Sequence, residues 1–247
     1  MNYNFFALIS RMKYIDRWAL MRNTRAENLC EHSMEVAIIA HALCTIGNVR
    51  YGKKLDANKA ALIGLYHDAS EIITGDMPTP VKYFNSELKA AYKEVESIAD
   101  NKLLEKLPED MRPVYEEIFV ASDTEEERYM RKLVKAADKL SALIKCIGEM
   151  NAGNSEFRTA KESTGKSIRS MYQELPEVLD FVNEFLSSYG NTLDELVDLL
   201  LIAVSSCEYV EPRVQFVREN FLGDALIIRF CNFIELYGDE RYAVGTG

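Results

Sequence analysis

The chain is poor in histidine, carries a single tryptophan and has no excess of basic charge. Three histidines occur in 247 residues, so two of them standing where metal ligands belong is informative. Lysine and arginine number 29 against 39 aspartates and glutamates, for a net charge of −10. Wrapping a nucleic-acid polymer requires clustered cations that release counterions, so no such polymer is expected as a partner. A small anionic substrate stays compatible, because a metal ion and one arginine can supply local positive charge. The five cysteines are odd in number and irregularly spaced, which reads as reduced thiols in a cytoplasmic protein. No apolar run reaches the roughly 20 residues of a bilayer span. The most apolar, residues 193–204, contains Asp194, Glu195 and Asp198. The stretch from Phe5 to Ile9 is too short for a signal peptide and is followed by charge. Neither a membrane nor secretion is expected. Internal repeats and low-complexity linkers are missing, and strand signals are scarce.

What is present is helical periodicity on a 48% hydrophobic chain, ample for a sizeable core. Phe5, Phe6, Leu8, Ile9 and Met12 mark a first short helix. Residues 17–23 break the pattern and read as a loop. A second helix starts near Asn28 to Glu31 and runs through Val36, Ile39 and Leu43 to a stop at Gly47. Asp56 can cap a third, from 57 to about 73. Pro80 biases Thr79 away from the α region and Gly75 ends the helix, so residues 75–80 read as non-helical. Ser86 can cap a long helix, and Ser122 with Glu125 fits a capping box for another, with Met130, Leu133, Ala137, Leu140 and Ile144 inward. Pro176 and Thr192 open two more. The expectation is an all-α single domain over residues 1–206 and a C-terminal extension, 207–247, of uncertain structure.

The chemistry gathers around Tyr66-His67-Asp68-Ala69-Ser70-Glu71. On a continuous helix His67 and Glu71 share a face, and Asp68 and Glu71 are neighbours at i and i+3. An isolated pair of this kind is more often a satisfied histidine beside solvated charges. The wider set changes that balance. His32 sits near a helix start, and Asp138 lies on or beside an apolar face, where a carboxylate is expensive unless paired or metal-bound. Two imidazoles and two carboxylates make a mixed N/O site for one divalent ion, with Glu71 left to handle a proton. His41, nine residues from His32, falls on the opposite side of its helix and reads as structural or exposed. Cys30 and Cys146 read as small buried hydrophobes and Lys82 as a solvated lysine.

His32, His67-Asp68 and Asp138 resemble the H…HD…D pattern of the HD-domain metal phosphohydrolases. The flanking words are sharper: Phe5-Phe6-Ala7-Leu8-Ile9-Ser10-Arg11, Arg17-Trp18-Ala19-Leu20-Met21-Arg22-Asn23, Glu27-Asn28, Glu31-His32-Ser33, and Gly75-Asp76-Met77-Pro78-Thr79-Pro80-Val81-Lys82-Tyr83-Phe84-Asn85. Together they resemble the bacterial YfbR-type 5′-deoxynucleotidases over roughly residues 1–190. The resemblance implies an HD-domain helical bundle that removes the 5′-phosphate from deoxyribonucleoside monophosphates. It implies a homodimer with one divalent metal ion, Co²⁺ or Mn²⁺ being favoured over Mg²⁺ or Zn²⁺. It assigns the metal to His32, His67, Asp68 and Asp138, and catalysis to Glu71, Arg17 and Asp68. Substrate contacts fall to Arg17, Trp18, His32, Asp138 and the loop residues Asp76, Met77, Pro78 and Thr79. Arg17 would orient the phosphate and Trp18 would exclude a ribose 2′-hydroxyl.

Two rival readings remain at this stage. One is an HD phosphohydrolase of another nucleotide, cyclic or triphosphate, against which stands the single well-placed arginine. The other is a non-catalytic metal-containing binding or regulatory module, against which stands Glu71, a fifth carboxylate that a structural site does not need.

Overall fold

The computed structural model describes residues 3–82 and 84–197. These are helical, and among the described residues the one extended pairing is a single antiparallel bridge between Asp16 and Asn28. The chain divides into two compact units, residues 1–190 and 191–247. The expected domain boundary at 206, and the tail beyond it, lie outside the described residues.

The first unit opens with α1 (Phe5–Ile9) and a 3-10 turn (Ser10–Tyr14), then the loop leading to α2 (Leu29–Tyr51). Asn28 caps α2 through a full capping box with Glu31, which fixes where His32 enters the first turn. The helix does not stop at Gly47. Gly47 is buried inside it, and the stop is Gly52, whose φ of 63° is the left-handed conformation that glycine adopts freely. Helix α2 is, by length and composition alone, long and apolar enough to cross a bilayer. Its sides pack on α3 (Ala57–Tyr66), α8 (Glu125–Asn151) and α10 (Pro176–Glu184), as a core helix does.

Helix α3 ends earlier than its pattern suggests. Asp56 caps it as expected, but it breaks at Tyr66. Residues 67–70 form a tight turn before α4 (Glu71–Thr74). The ring of His67 donates from Nδ1 to the Gly64 carbonyl at 2.8 Å. In a continued helix that carbonyl would serve the amide of residue 68. The turn instead closes through shorter loops, Ala69 N–H to Tyr66 O and Glu71 N–H to Asp68 O, both 3.0 Å. Thr79 and Pro80 open one helical turn, α5 (Thr79–Lys82), contrary to the non-helical reading. Pro80 needs no amide partner in a first turn.

Two further caps shift by one or two residues. Asn85, not Ser86, caps α6 (Ser86–Leu104), and Thr124, not Ser122, caps α8. Helices α7 (Arg112–Phe119) and α9 (Arg158–Arg169) have no counterpart in the sequence reading. Pro176 opens α10, and Thr192 precedes α11 (Leu193–Val197), as expected.

The main core is formed by Val36, Ile39, Ala40 and Leu43 of α2, Ala60 and Ile63 of α3, and Leu133, Ala136, Ala137 and Leu140 of α8. A smaller cluster of Phe5, Leu103, Leu104 and Leu107 closes over Ala69, seating the turn that carries His67 and Asp68. Gly64 sets the spacing between α2 and α3. A methyl placed there would meet the Ala37 Cα at 2.8 Å, so only glycine lets the two backbones lie this close.

Candidate metal centre

Three helices bring together His32, His67 and Asp68, which meet at one point, and Asp138, which adjoins them through His32. His32 comes from the first turn of α2, His67 and Asp68 from the turn after α3, and Asp138 from the middle of α8. Nε2 of His32 lies 3.3 Å from Asp138 Oδ1 and 3.6 Å from Asp68 Oδ2. Nε2 of His67 lies 3.0 Å from Asp68 Oδ2. The two imidazole rings are 5.2 Å apart, tilted by 58°. His32, His67 and Asp68 each offer a ligand atom within 4.8 Å of the others.

The buried atoms test whether a cation fits. Both Nε2 atoms are buried, and neither has a well-oriented hydrogen-bond partner, close as the carboxylates are. Their opposite nitrogens are engaged. Nδ1 of His67 donates to Gly64 O, a group that can only accept. Nδ1 of His32 lies 2.9 Å from Ser141 Oγ, and Ser141 gives its only proton to Glu35 Oε2 at 2.6 Å. His32 therefore donates from Nδ1, and its Nε2 lone pair faces the two carboxylates. Two Nε2 atoms converging with carboxylate oxygens, oriented from behind by hydrogen bonds, fit a divalent transition metal, which would take the place of the proton on His67.

The charges respond to this crowding. Burial depresses the His32 imidazolium and Arg17 adds to the effect, outweighing Asp138. Burial also opposes charge on His67, but Asp68 and Asp138 outweigh it and raise that ring to about 9. For Asp68 burial is outweighed by His67 and His32, which bring it down to about 2. Asp138 is likewise held well below the carboxylate range, with His32, His67 and Arg17 overcoming burial. Glu71 goes the other way. Burial, with Asp68 and Asp76 nearby, pushes its carboxyl up to about 9, and its Oε2 is buried without a hydrogen-bond partner.

Of the remaining predicted residues, Arg17 and Asp76 lie within electrostatic reach of this cluster. Arg17 acts electrostatically on His32, Glu71, Asp76 and Asp138. Trp18 is adjacent, in the loop as read from sequence. Its indole lies 5.3 Å from the Phe157 ring and its φ is 58°, rare for a bulky residue. Asp76 accepts a hydrogen bond from the Trp18 amide, which ties the loop of Asp76, Met77 and Pro78 to that of Arg17. The side chain of Thr79 lies outside the described ones. A cavity of ≈ 210 Å³ lined by Ile63, His67, Arg131, Val134, Lys135 and Asp138 gives access from the α3–α8 side.

Two side chains differ from expectation. Lys82 is not a freely solvated lysine, since its Nζ is 2.5 Å from Glu96. Cys30 is exposed, facing out from the first turn of α2, whereas Cys146 is buried as expected. His41 is exposed. The sequence offers Glu27 only within the word Glu27-Asn28, with no role, and does not single out Glu35 or Ser141. Ser141 had a signal, three residues after Asp138 on one helix face.

A histidine from one helix, a His-Asp turn from the next and an aspartate from a third, in an all-α bundle, define the HD-domain class. The fold is shared with an HD-domain phosphohydrolase from Listeria innocua, with a TM-score of 0.64 at 24% identity, covering 82% of this chain and 96% of that one. It is shared also with the HD phosphohydrolase of cyanophage S-2L, described as bound to dA and one catalytic Zn²⁺, with a TM-score of 0.52 at 20% identity, covering 74% and 95%.

Sequence is more specific. Residues 4–189 match the YfbR-like 5′-deoxynucleotidase family. A 5′-deoxynucleotidase of Enterobacter sp. (strain 638) is 46% identical over 193 residues, 78% of this chain and 95% of its own length. The 5′-deoxynucleotidase of Shewanella oneidensis is 44% identical over 197 residues, 80% and 99% respectively. The chain belongs to the YfbR-like 5′-deoxynucleotidase family.

Proposed function

We propose that the protein is a metal-dependent 5′-deoxynucleotidase, converting deoxyribonucleoside 5′-monophosphates to deoxyribonucleosides and phosphate. The observation that carries this reading is the convergence of two unpartnered buried Nε2 atoms with Asp68 and Asp138 beside a protonatable Glu71. The family's 5′-deoxynucleotidase relatives and the dA-bound phage neighbour support the substrate class.

His32, His67, Asp68 and Asp138 would hold the ion. When bound, a divalent metal supplies a Lewis acid for the phosphoryl oxygens and lowers the pKa of water. Arg17 offers a planar fork of donors to the phosphate. A water attacks phosphorus opposite the 5′-oxygen, and the P–O5′ bond breaks. The charge of a bound cation would favour ionised Glu71, whose Oε2 then accepts the water's proton. Glu71 relays that proton to the departing 5′-oxygen, which gives the nucleoside and inorganic phosphate, with no covalent enzyme intermediate. Trp18 stands against C2′, where a rigid indole leaves a ribose hydroxyl neither room nor a hydrogen-bond partner. Asp76, Met77 and Pro78, with Thr79, receive the nucleoside.

Co²⁺ or Mn²⁺ is the favoured ion, and the cytoplasm, with its free nucleotides and reduced thiols, the setting. The active form is a homodimer. Its support is the outer side of α2, where Met34, Ile38 and Val49 are 58%, 60% and 77% exposed on an otherwise apolar helix. Residues 207–247 form an extension to the catalytic domain. Light scattering on the full chain tests the dimer, which a monomer at micromolar concentration would rule out.

The function is tested by phosphate release from deoxynucleoside and nucleoside monophosphates, a cyclic nucleotide and a triphosphate, with Co²⁺, Mn²⁺, Mg²⁺ or Zn²⁺ added. Turnover confined to deoxynucleoside monophosphates is expected. Faster release from the cyclic or triphosphate substrate would point to another HD phosphohydrolase. Metal binding with no turnover at all would point to a binding module.

A further inference from the structure

Glu27 has no assigned role, yet it touches two of the residues assigned to substrate contact, Arg17 and Trp18. Its side chain is 13% exposed, as is that of Arg17. One oxygen, Oε2, accepts from Arg17 Nη1 at 3.1 Å and from Trp18 Nε1 at 3.2 Å. The backbone reinforces the contact. Arg17 N–H donates to Glu27 O at 2.9 Å, and Asp16 bridges Asn28 beside it. The loop is thus closed at its base by main-chain bonds, with a single carboxylate set inside it.

We propose that Glu27 is a positioning residue that sets phosphate grip and sugar discrimination together, by holding Arg17 and Trp18 through one shared oxygen. This rests on the 5′-deoxynucleotidase reading. The physical reason lies in the substrate. Within a nucleoside monophosphate the phosphate and C2′ are joined by a few covalent bonds, so their separation varies little. A wall that rejects a 2′-hydroxyl works only if its place relative to the phosphate anchor is equally fixed. Side chains of consecutive residues in a loop ordinarily diverge. Here the left-handed backbone at Trp18 and the shared acceptor bring them together. The indole is held at its edge by Glu27 and packs on Phe157, so its tilt is constrained twice. Arg17 spends one N–H on Glu27 and keeps the others for an anion.

The inference is tested on Glu27→Ala and the isosteric Glu27→Gln, with two readouts. The first is kcat/KM for dAMP and AMP. The dAMP preference should fall about tenfold in Glu27→Ala, the scale of one lost charge-assisted hydrogen bond, with Glu27→Gln between it and the wild type. The second readout needs no turnover. Trp18 is the only tryptophan, so intrinsic fluorescence reports its freedom directly. Acrylamide should quench both variants more strongly than wild type, with bound metal and melting temperature unchanged. An unchanged quenching constant in both variants, or an unchanged dAMP preference in Glu27→Ala, overturns the assignment. If the wild type itself shows no dAMP preference, the functional reading fails instead, and the quenching data alone decide whether Glu27 holds the indole.

Discussion

His32 and His67 present their rings to each other 5.2 Å apart, although they arrive from different helices. Gly64 makes that possible, because it lets α3 lie against the backbone of α2 at Ala37 and lends its carbonyl to His67. Gly64→Ala should therefore act twice. A Cβ at 2.8 Å from the Ala37 Cα must force the helices apart, at a cost of about 1–3 kcal/mol for overpacking. Metal affinity should fall in the same variant. Denaturant midpoints and a metal titration check this, and wild-type values in both would show that the close approach is unimportant.

Removing a ligand should be more drastic. His67→Ala or Asp68→Ala is expected to abolish both bound metal and activity, since each leaves its neighbour's charge or lone pair uncompensated. Elemental analysis of the purified variants is the check. Stoichiometric metal retained in either one would show the ligand set to be wrong.

Glu71→Ala should separate the two properties. Oε2 of Glu71 makes no hydrogen bond, so its removal leaves the centre's framework standing. Metal content should stay near wild type while kcat falls roughly 10²-fold or more, the scale of a lost general acid or base. Turnover near wild type would remove Glu71 from proton transfer.

Much of this centre is legible in the sequence because its chemistry is rare. Scarce histidines, an adjacent aspartate and a buried-side Asp138 stand out on a helical background. The turn at residues 67–70 is not legible. Apolar spacing continues through Ile73, and what ends α3 is the His67 side chain engaging the Gly64 carbonyl. The caps at Asn85 and Thr124 are misplaced because neighbouring residues have equal capping chemistry, and local geometry chooses between them. Glu27 stands in the word Glu27-Asn28, but its contacts are not legible, for a different reason. Its partners lie nine and ten residues away in a loop, where no periodicity links them.

Acid stability should depend on Glu149. This carboxylate, 2% exposed, accepts from the Thr24 amide and hydroxyl, the Asn154 side chain and Lys145, which pins the recognition loop to the end of α8. Burial opposes its charge, but these partners outweigh it and hold the group far below the usual range. A depressed carboxylate stabilises fully above its unfolded value near 4.5, and that contribution is lost as pH falls towards the folded value. Glu149→Gln should lose about 3 kcal/mol at neutral pH and show a flatter decline below pH 4.5. Denaturant unfolding from pH 7 to 3 measures both. Parallel curves for wild type and variant would contradict this role.

A site that removes 5′-phosphates from deoxyribose should reject ribose at Trp18. An unpaired, crowded 2′-hydroxyl costs on the order of 1–3 kcal/mol, about 10- to 100-fold in rate. The most direct measurement is kcat/KM for dAMP and AMP on the same Co²⁺-loaded protein, in wild type and Trp18→Ala, with a chelated control. A clear dAMP preference is expected in the wild type, with a narrower gap in Trp18→Ala and no turnover after chelation. Equal kcat/KM for dAMP and AMP in the wild type, or activity that survives complete removal of metal, would contradict it.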